Sequence, residues 1–267
     1  MERLSPDEVF ALVVFILLTL MTWGRMLLCA VQLHARLTGW MVRFQALLLL
    51  PTVLALLHVF LRRYADAGVR DSALYLTFYL AFGAAWTGVC ASVFSMLGLS
   101  LRDDVLERAN PAARLAAFSA IFAAAFCFAG SNIGDGPGWW VVLFCAALAS
   151  GTLVLIWVLI GTFSSIRTRI ILERDLTAAR RLAGLLLACG VVLGRAAAGD
   201  WTTAGAAFTD FVQAARPAGV LLVIALLAEH LLPRATGRSD GFPGTGWPVM
   251  ALYLGLGAYA VRGLGPW

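Results

Sequence analysis

Long apolar stretches separated by short polar segments form the dominant pattern along this chain. A helix needs about 20 mostly apolar residues to cross the ~30 Å hydrocarbon layer of a bilayer. Six stretches approach or exceed that length and two shorter ones follow: 9–33, 44–61, 73–99, 111–129, 139–163 and 176–197, then 217–232 and 248–261. The pattern predicts an all-α polytopic membrane protein with about eight transmembrane helices, or six or seven if the short stretches do not span.

The residues before the first stretch are typical of a helix start. A secretory signal peptide begins with positive charge, whereas acidic residues outnumber Arg3 here. The segment Ser5-Pro6-Asp7-Glu8 fits a capping box, in which Ser5 caps the helix and Glu8 reaches back to the cap amide. We therefore expect the first helix to begin at this point and to be retained.

Composition agrees with a membrane protein. Hydrophobic residues make up 61% of the chain and charged residues only 13%, whereas soluble domains carry about 25% charged residues. The formal net charge is +5, and all 20 basic residues are arginines that cluster between the apolar stretches. Such clusters set membrane orientation, so we expect no nucleic-acid partner.

The distribution of arginines predicts the orientation. With eight alternating spans, twelve arginines lie on the side opposite the two termini, seven lie on the side of the termini, and Arg25 lies inside a helix. Because positive loops stay in the cytoplasm, both termini are predicted to be periplasmic. The absence of lysine, with abundant alanine, glycine, leucine and arginine, is associated with GC-rich bacterial genomes. The predicted location is the bacterial inner membrane.

A pattern of charged and small residues occurs twice. Glu107-Arg108 and Ala112-Ala113-Arg114 match Glu173-Arg174 and Ala178-Ala179-Arg180 at an offset of 66, and Gly134-Asp135 matches Gly199-Asp200 at an offset of 65. Both units begin on the same side, which predicts a parallel internal two-helix repeat. The predicted organisation is an N-terminal two-helix segment (1–71), repeat units 72–138 and 139–202, and C-terminal helices (203–267).

These same segments resemble a known family. Residues 102–113 and 132–140 resemble the connector and the turn of the bacterial inner-membrane family called domain of unknown function 350. The second unit is similar to the family's other half at 173–175 and 195–201, although Leu176 stands where the family has Asn. The resemblance covers about residues 72–235. It implies a tandem membrane fold without established chemistry and hints at a role in envelope maintenance.

The turns after the repeated helices contain the candidate site. Its residues are Asn132, Asp135, Arg195 and Asp200. One interpretation is a periplasmic site for a cation or a lipid headgroup, with Asp135 and Asp200 as quasi-equivalent carboxylates. The other is a tight structural turn, in which Asp135 stabilises the start of the next helix. Both stay open at this point.

Arg25 is a separate candidate, because it is the one ionisable residue that the pattern places well inside an apolar stretch. It lies ~13 Å from His34 along a helix that rises 1.5 Å per residue. A charge at that depth is costly and raises a functional hypothesis. The alternatives are that its side chain snorkels to the interface or bonds backbone carbonyls.

No pattern of an enzyme, a metal site or a cofactor site stands out. The cysteines lie singly within apolar stretches, and HExxH, CxxC and phosphate-loop motifs do not occur in the sequence. We therefore predict no cofactor, no metal and a non-enzymatic role as a scaffold or accessory subunit of a membrane assembly. The alternative is a channel or transporter subunit with a periplasmic Gly-Asp site. Expected partners are the lipid bilayer and other membrane subunits or further copies of this chain.

Overall fold

The computed structural model describes residues 4–32, 39–134, 136, 138–201, 203–232 and 245–265. All regular elements in these ranges are helical. They are α1 (Pro6–Thr19), a π-helical turn (Leu20–Gly24), α2 (Arg25–Gln32), α3 (Trp40–Tyr64), α4 (Ala67–Arg70), α5 (Ala73–Met96), a π-helical segment (Leu101–Glu107), α6 (Pro111–Gly130), α7 (Trp139–Phe163), α8 (Ile166–Ile171), α9 (Leu176–Ala197), α10 (Ala204–Ala214), α11 (Arg216–Leu231) and α12 (Gly246–Gly263).

Seven helices in the described ranges are long and apolar enough to cross a membrane. The first, Pro6–Gln32, joins α1, the π-helical turn and α2, and the last, Ala204–Leu231, joins α10 and α11. The others are α3, α5, α6, α7 and α9. The prediction of an all-helical protein with several long apolar helices is confirmed, and six of the seven helices lie within a few residues of the predicted stretches. The exception is Ala204–Leu231, which includes α10 and therefore begins before the predicted stretch 217–232.

Short polar side chains set where these helices begin. At α1, the Ser5 amide donates to Glu8 Oε2 at 2.8 Å, as the predicted capping box requires. At α6, Asn110 Oδ1 accepts from the amides of Ala112 and Ala113. At α9, Asp175 Oδ1 accepts from the first amides of the helix in the same way. Each cap satisfies donors that a helix start otherwise leaves unpaired.

Helices α6 and α9 form the centre of the bundle, where they lie side by side and run in the same direction. A Cβ atom on Gly190 would lie 2.6 Å from Ala123 Cα, and one on Gly194 would lie 2.4 Å from the Phe126 carbonyl oxygen. The two backbones therefore touch, which only small residues permit. Of the most apolar windows of α6 and α9, 72% of residues are buried, against 17% for Pro6–Gln32.

Helices α11 and α12 also pack on α9. Helix α12 runs in the same direction as α9, because Gly246 lies beside Thr177 and Gly257 lies beside Ala188. Helix α11 runs in the opposite direction, since its early residue Ala218 lies beside Cys189 and its late residue Glu229 bonds to Arg181 near the start of α9.

The bundle has two ends. The connector end contains residues 97–110 and 164–175, which precede α6 and α9. The Gly-Asp end contains the described residues of 131–138 and 198–203, which follow those helices. Helix α1 begins at the Gly-Asp end, where Tyr75 at the start of α5 donates to Glu8 at 3.4 Å. Helix α12 finishes at the same end, beside Arg195.

Candidate functional site

The two turns of the Gly-Asp end contact each other through their backbones. The Gly199 amide donates to the Ile133 carbonyl at 2.9 Å. Gly134 has φ +115°, and a Cβ atom there would lie 2.3 Å from the Gly199 carbonyl oxygen. Only glycine adopts this conformation readily and allows this approach. The structure therefore brings together the two Gly-Asp turns that the sequence pattern singled out.

Asn132 is buried beside this contact, with 5% of its surface exposed. Its Nδ2 donates to the Phe128 carbonyl at 2.6 Å, but its Oδ1 has no hydrogen-bond partner in the described part of the chain. Asn132 lines a cavity of about 90 Å³ together with Asp66, Ser131 and Gly199. An unsatisfied buried acceptor costs about 1–3 kcal/mol. A donor or a cation in this cavity would remove that cost.

Of the other predicted site residues, Arg195 has its hydrogen-bond partners at the end of α12 and not at Asn132. The side chain of Arg195 turns to the end of α12, where Nη2 donates to the Leu264 carbonyl at 2.7 Å. This bond satisfies a carbonyl that the helix end leaves free. Asp200 is exposed. Asp135 lies outside the described residues.

Arg25 begins α2 directly after the π-helical turn, and its side chain is exposed. It makes no hydrogen bond or ion pair with any of the residues that the structure describes. Trp23, two residues earlier, points the other way and is buried, with Nε1 donating to the Ala84 carbonyl at 2.8 Å. Arg25 is remote from the Gly-Asp end, so the predicted candidates do not form one site.

The connector end holds a buried cluster of charges that sequence analysis missed. We call it the arginine–carboxylate cluster, and its members are Arg169, Asp175, Arg181 and Glu229. Arg181 binds Glu229 with both oxygens engaged, the longer contact being Nη2 to Oε2 at 3.0 Å. Arg169 binds the same Glu229 oxygen at 3.1 Å and also binds Asp175. Three of the side chains are 3% exposed or less, and Asp175 is 14% exposed.

The cluster is electrically balanced, because two guanidinium groups face two carboxylates. Its members come from α8, the cap of α9, α9 itself and α11, and Arg181 Nη1 also donates to Thr245 Oγ1 before α12 at 3.0 Å. It therefore ties four helices together at one end of the bundle. Since such charges are rarely buried without partners, each member depends on the others.

Sequence analysis singled out Arg25 because it lies well inside an apolar stretch. Arg181 lies near the start of the stretch 176–197 and Glu229 near the end of the stretch 217–232, and both side chains are nearly inaccessible. The presence of an arginine in the stretch 176–197 and of a glutamate in the stretch 217–232 could have indicated this ion pair from the sequence. An arginine and a glutamate in two neighbouring spans are most cheaply buried as a pair.

The first connector has a different set of contacts. Asp104 is buried and accepts from the Ser100 amide at 3.0 Å and from Arg108 at 3.2 Å. Arg102 pairs with Glu107 at 2.9 Å on the exposed surface, and this hydrogen bond raises the pKa of the Arg102 guanidinium. Both members of the Arg102–Glu107 pair are exposed, so this pair contributes little to stability.

No family model, curated protein or solved structure matches this chain.

Proposed function

We propose that this protein is a non-enzymatic, multi-pass protein of the bacterial inner membrane that acts as a scaffold or accessory subunit of a membrane assembly. The observation that carries the proposal is the backbone contact between α6 and α9. It extends from Ala123 and Gly190 through to the contact of Gly134 with Gly199 at the Gly-Asp end. A centre packed this closely is suited to holding a shape, and it offers little space for a path between these two helices.

The outer helices support the same proposal. Large apolar side chains are exposed on the first helix, on α10 and α11 and on α12, among them Phe10, Met21, Phe208, Val220 and Tyr259. Only 22% of the most apolar window of Ala204–Leu231 is buried. Lipid or the helices of other subunits would cover these faces. A rigid centre with an apolar periphery is what an accessory subunit needs.

We further propose that α12 is an eighth span. It lies along α9 from Gly246, beside Thr177, to Leu264, which accepts a hydrogen bond from Arg195. Its 18 residues measure about 27 Å at 1.5 Å per residue, close to the hydrocarbon thickness. Eight spans would place both chain ends on one side, and the arginine distribution makes that side periplasmic.

The proposal includes a parallel repeat in which equivalent residues of the two units are 65 positions apart. Ala109 and Arg174 both have positive φ, at +47° and +55°. The next residue in each case, Asn110 or Asp175, caps the following helix. Gly134 and Gly199 have the same separation. In this register Glu107 corresponds to Leu172, and not to Glu173 as the offset of 66 implied. The relationship to the domain of unknown function 350 family also stays a proposal.

Two measurements test the proposed function. Native mass spectrometry of the detergent-extracted protein should detect an assembly larger than the 28.6 kDa chain. Reporter fusions at the C-terminus and at Arg169 should report opposite sides of the membrane, the first periplasmic and the second cytoplasmic. A protein that stays monomeric in mild detergent and in native-lipid particles would contradict the scaffold proposal. A cytoplasmic C-terminus would contradict the count of spans or the orientation.

The alternative of a channel or transporter subunit has one observation in its favour. The unsatisfied Oδ1 of Asn132 borders a small polar cavity at the Gly-Asp end. Carbonyl oxygens of this kind coordinate cations in transporters. Reconstituted liposomes distinguish the two functions, because the scaffold proposal predicts no cation flux above that of empty liposomes. Flux that Asn132→Ala abolishes would favour the transporter.

A further inference from the structure

A groove at the connector end separates the first helix from α5. Its volume is about 580 Å³. Met21 and Met26 of the first helix and Met96 of α5 contribute apolar walls, and the connector closes one end with Arg102 and Asp103. Arg25 of the first helix also lines the groove. The groove is therefore apolar along its sides and charged towards the connector.

The charge of Arg25 needs a partner that the described chain does not provide. Two arginines near the groove have partners, since Arg43 donates to the Ala30 and Val31 carbonyls and Arg102 binds Glu107. Asp103 lies near Arg102, at 3.9 Å. Arg25 is exposed on an apolar helix without such contacts, where an unpaired guanidinium is costly.

We propose that this groove binds one anionic phospholipid, with the phosphate bonded to Arg25 and an acyl chain against Met21. Arginine matches a phosphate because its planar group forms two parallel hydrogen bonds. Arg25 shares the groove with the connector residues, so the phosphate would lie at the headgroup level while the chain follows the apolar wall. Of the remaining charges of the groove, Arg102 binds Glu107 at 2.9 Å, and Asp103 lies 3.9 Å from Arg102.

The size of the groove favours a lipid over a helix of another protein. A helix is about 10–12 Å across with its side chains and rises 5.4 Å per turn, so little more than one turn would fill this volume. A single turn offers few apolar contacts. A lipid chain is thinner and can extend along the groove and beyond it into the bilayer. This lipid site does not depend on the proposed scaffold function.

The test is a titration of the delipidated full chain in detergent with phosphatidylglycerol or phosphatidylcholine, followed by native mass spectrometry. The wild type should bind one phosphatidylglycerol in preference to phosphatidylcholine. Arg25→Gln should weaken phosphatidylglycerol binding about tenfold, the loss expected of charge-assisted hydrogen bonds, and Arg25→Lys should weaken it less. Arg63→Gln, which removes an exposed arginine at the Gly-Asp end, should leave it unchanged.

A second variant tests the acyl-chain part without touching the charge. Ser92 lines the groove on α5, and Ser92→Trp should reduce phosphatidylglycerol binding by filling the space. It also keeps the test decisive if Arg25→Gln does not fold. Inorganic phosphate alone should neither bind at millimolar concentration nor displace the lipid. Equal binding in wild type, Arg25→Gln and Ser92→Trp would overturn the proposal. So would displacement by phosphate, or a dimer that needs Arg25 in lipid-free detergent.

Discussion

The connector before α6 and the connector before α9 make the same backbone turn but bind different partners. In the first, the Arg108 amide donates to the Asp103 carbonyl at 2.9 Å, and in the second the Glu173 amide donates to the Thr168 carbonyl at 3.3 Å. Asn110 and Asp175 then cap their helices through one oxygen each. In each cap, the other polar atom of the side chain, Nδ2 of Asn110 or Oδ2 of Asp175, takes no part in capping the helix.

This other atom determines which residues each cap side chain binds. Asn110 carries an amide nitrogen, which donates to the Ile170 carbonyl at 2.9 Å and to the Ile171 carbonyl at 3.3 Å, so the first cap is bonded to the end of α8. Asp175 has a second oxygen in that place and binds Arg169. A neutral cap is bonded to backbone, whereas a charged cap belongs to the arginine–carboxylate cluster.

The largest effect is expected at Glu229. Glu229→Ala leaves two buried guanidinium groups short of a partner and should lower the free energy of unfolding by about 3–5 kcal/mol. Unfolding in detergent or bicelles, followed by circular dichroism or steric trapping, measures it. The double variant Glu229→Leu with Arg181→Met should lose less than the sum of the two single changes.

The matched control for this change is Glu107→Ala, which removes the exposed partner of Arg102 in the first connector. It should change stability little, because exposed ion pairs contribute little. Equal losses for Glu229→Ala and Glu107→Ala would contradict the distinction between the two connectors.

The next effect is expected when the neutral cap is given a charge. Asn110→Asp keeps the capping oxygen but removes the donor to the Ile170 and Ile171 carbonyls at a site with no exposed surface. The loss should be about 3 kcal/mol when the new carboxyl group is ionised. Burial raises the pKa of that group in the folded protein, so the folded state holds its proton more strongly than the unfolded state. Stability should therefore fall as pH rises.

Unfolding measured at pH 5 and at pH 8 checks this sign, with the wild type as reference at each pH. Asp175→Asn is the opposite exchange and introduces no unpaired carboxylate. It should weaken the bond to Arg169 without adding a stability loss that grows with pH. If Asn110→Asp lowers the free energy of unfolding equally at both pH values, the charge of the new carboxylate is not the cause of the loss.

Some features of this protein follow from its local sequence, whereas others arise only when the helices pack. Six of the seven described helices that could span were predicted within a few residues, because a span needs an apolar stretch of a certain length. The start of α1 follows from the local chemistry of Ser5 and Glu8. The cluster was not predicted, since Glu229 and Arg181 are 48 residues apart and meet only through packing. The hydrogen-bond partners of the Arg195 and Asn132 side chains likewise depend on how neighbouring helices pack.

A smaller effect is expected at the contact of the two Gly-Asp turns. Gly134→Ala places a Cβ against the Gly199 carbonyl oxygen at a residue with φ +115°, and should cost about 1–3 kcal/mol. Gly205→Ala in α10 is the matched control, because nothing lies within 4 Å of its Cβ position. Thermal unfolding of both variants measures the difference. If both are neutral, the turns do not hold the Gly-Asp end together.

The smallest effect is expected at Asn132, where the two proposed functions differ most. Asn132→Ala removes the hydrogen bond to the Phe128 carbonyl but also removes the unsatisfied Oδ1. These changes offset each other, so the net loss should be about 1 kcal/mol or less. A bound cation would behave differently, because a ligand that binds only the folded state raises its stability with concentration. Thermal unfolding in rising NaCl or CaCl₂, with choline chloride at equal ionic strength as control, should give parallel curves for wild type and Asn132→Ala. A specific rise in the melting temperature of the wild type that Asn132→Ala abolishes would place a cation at this oxygen and favour the transporter over the scaffold.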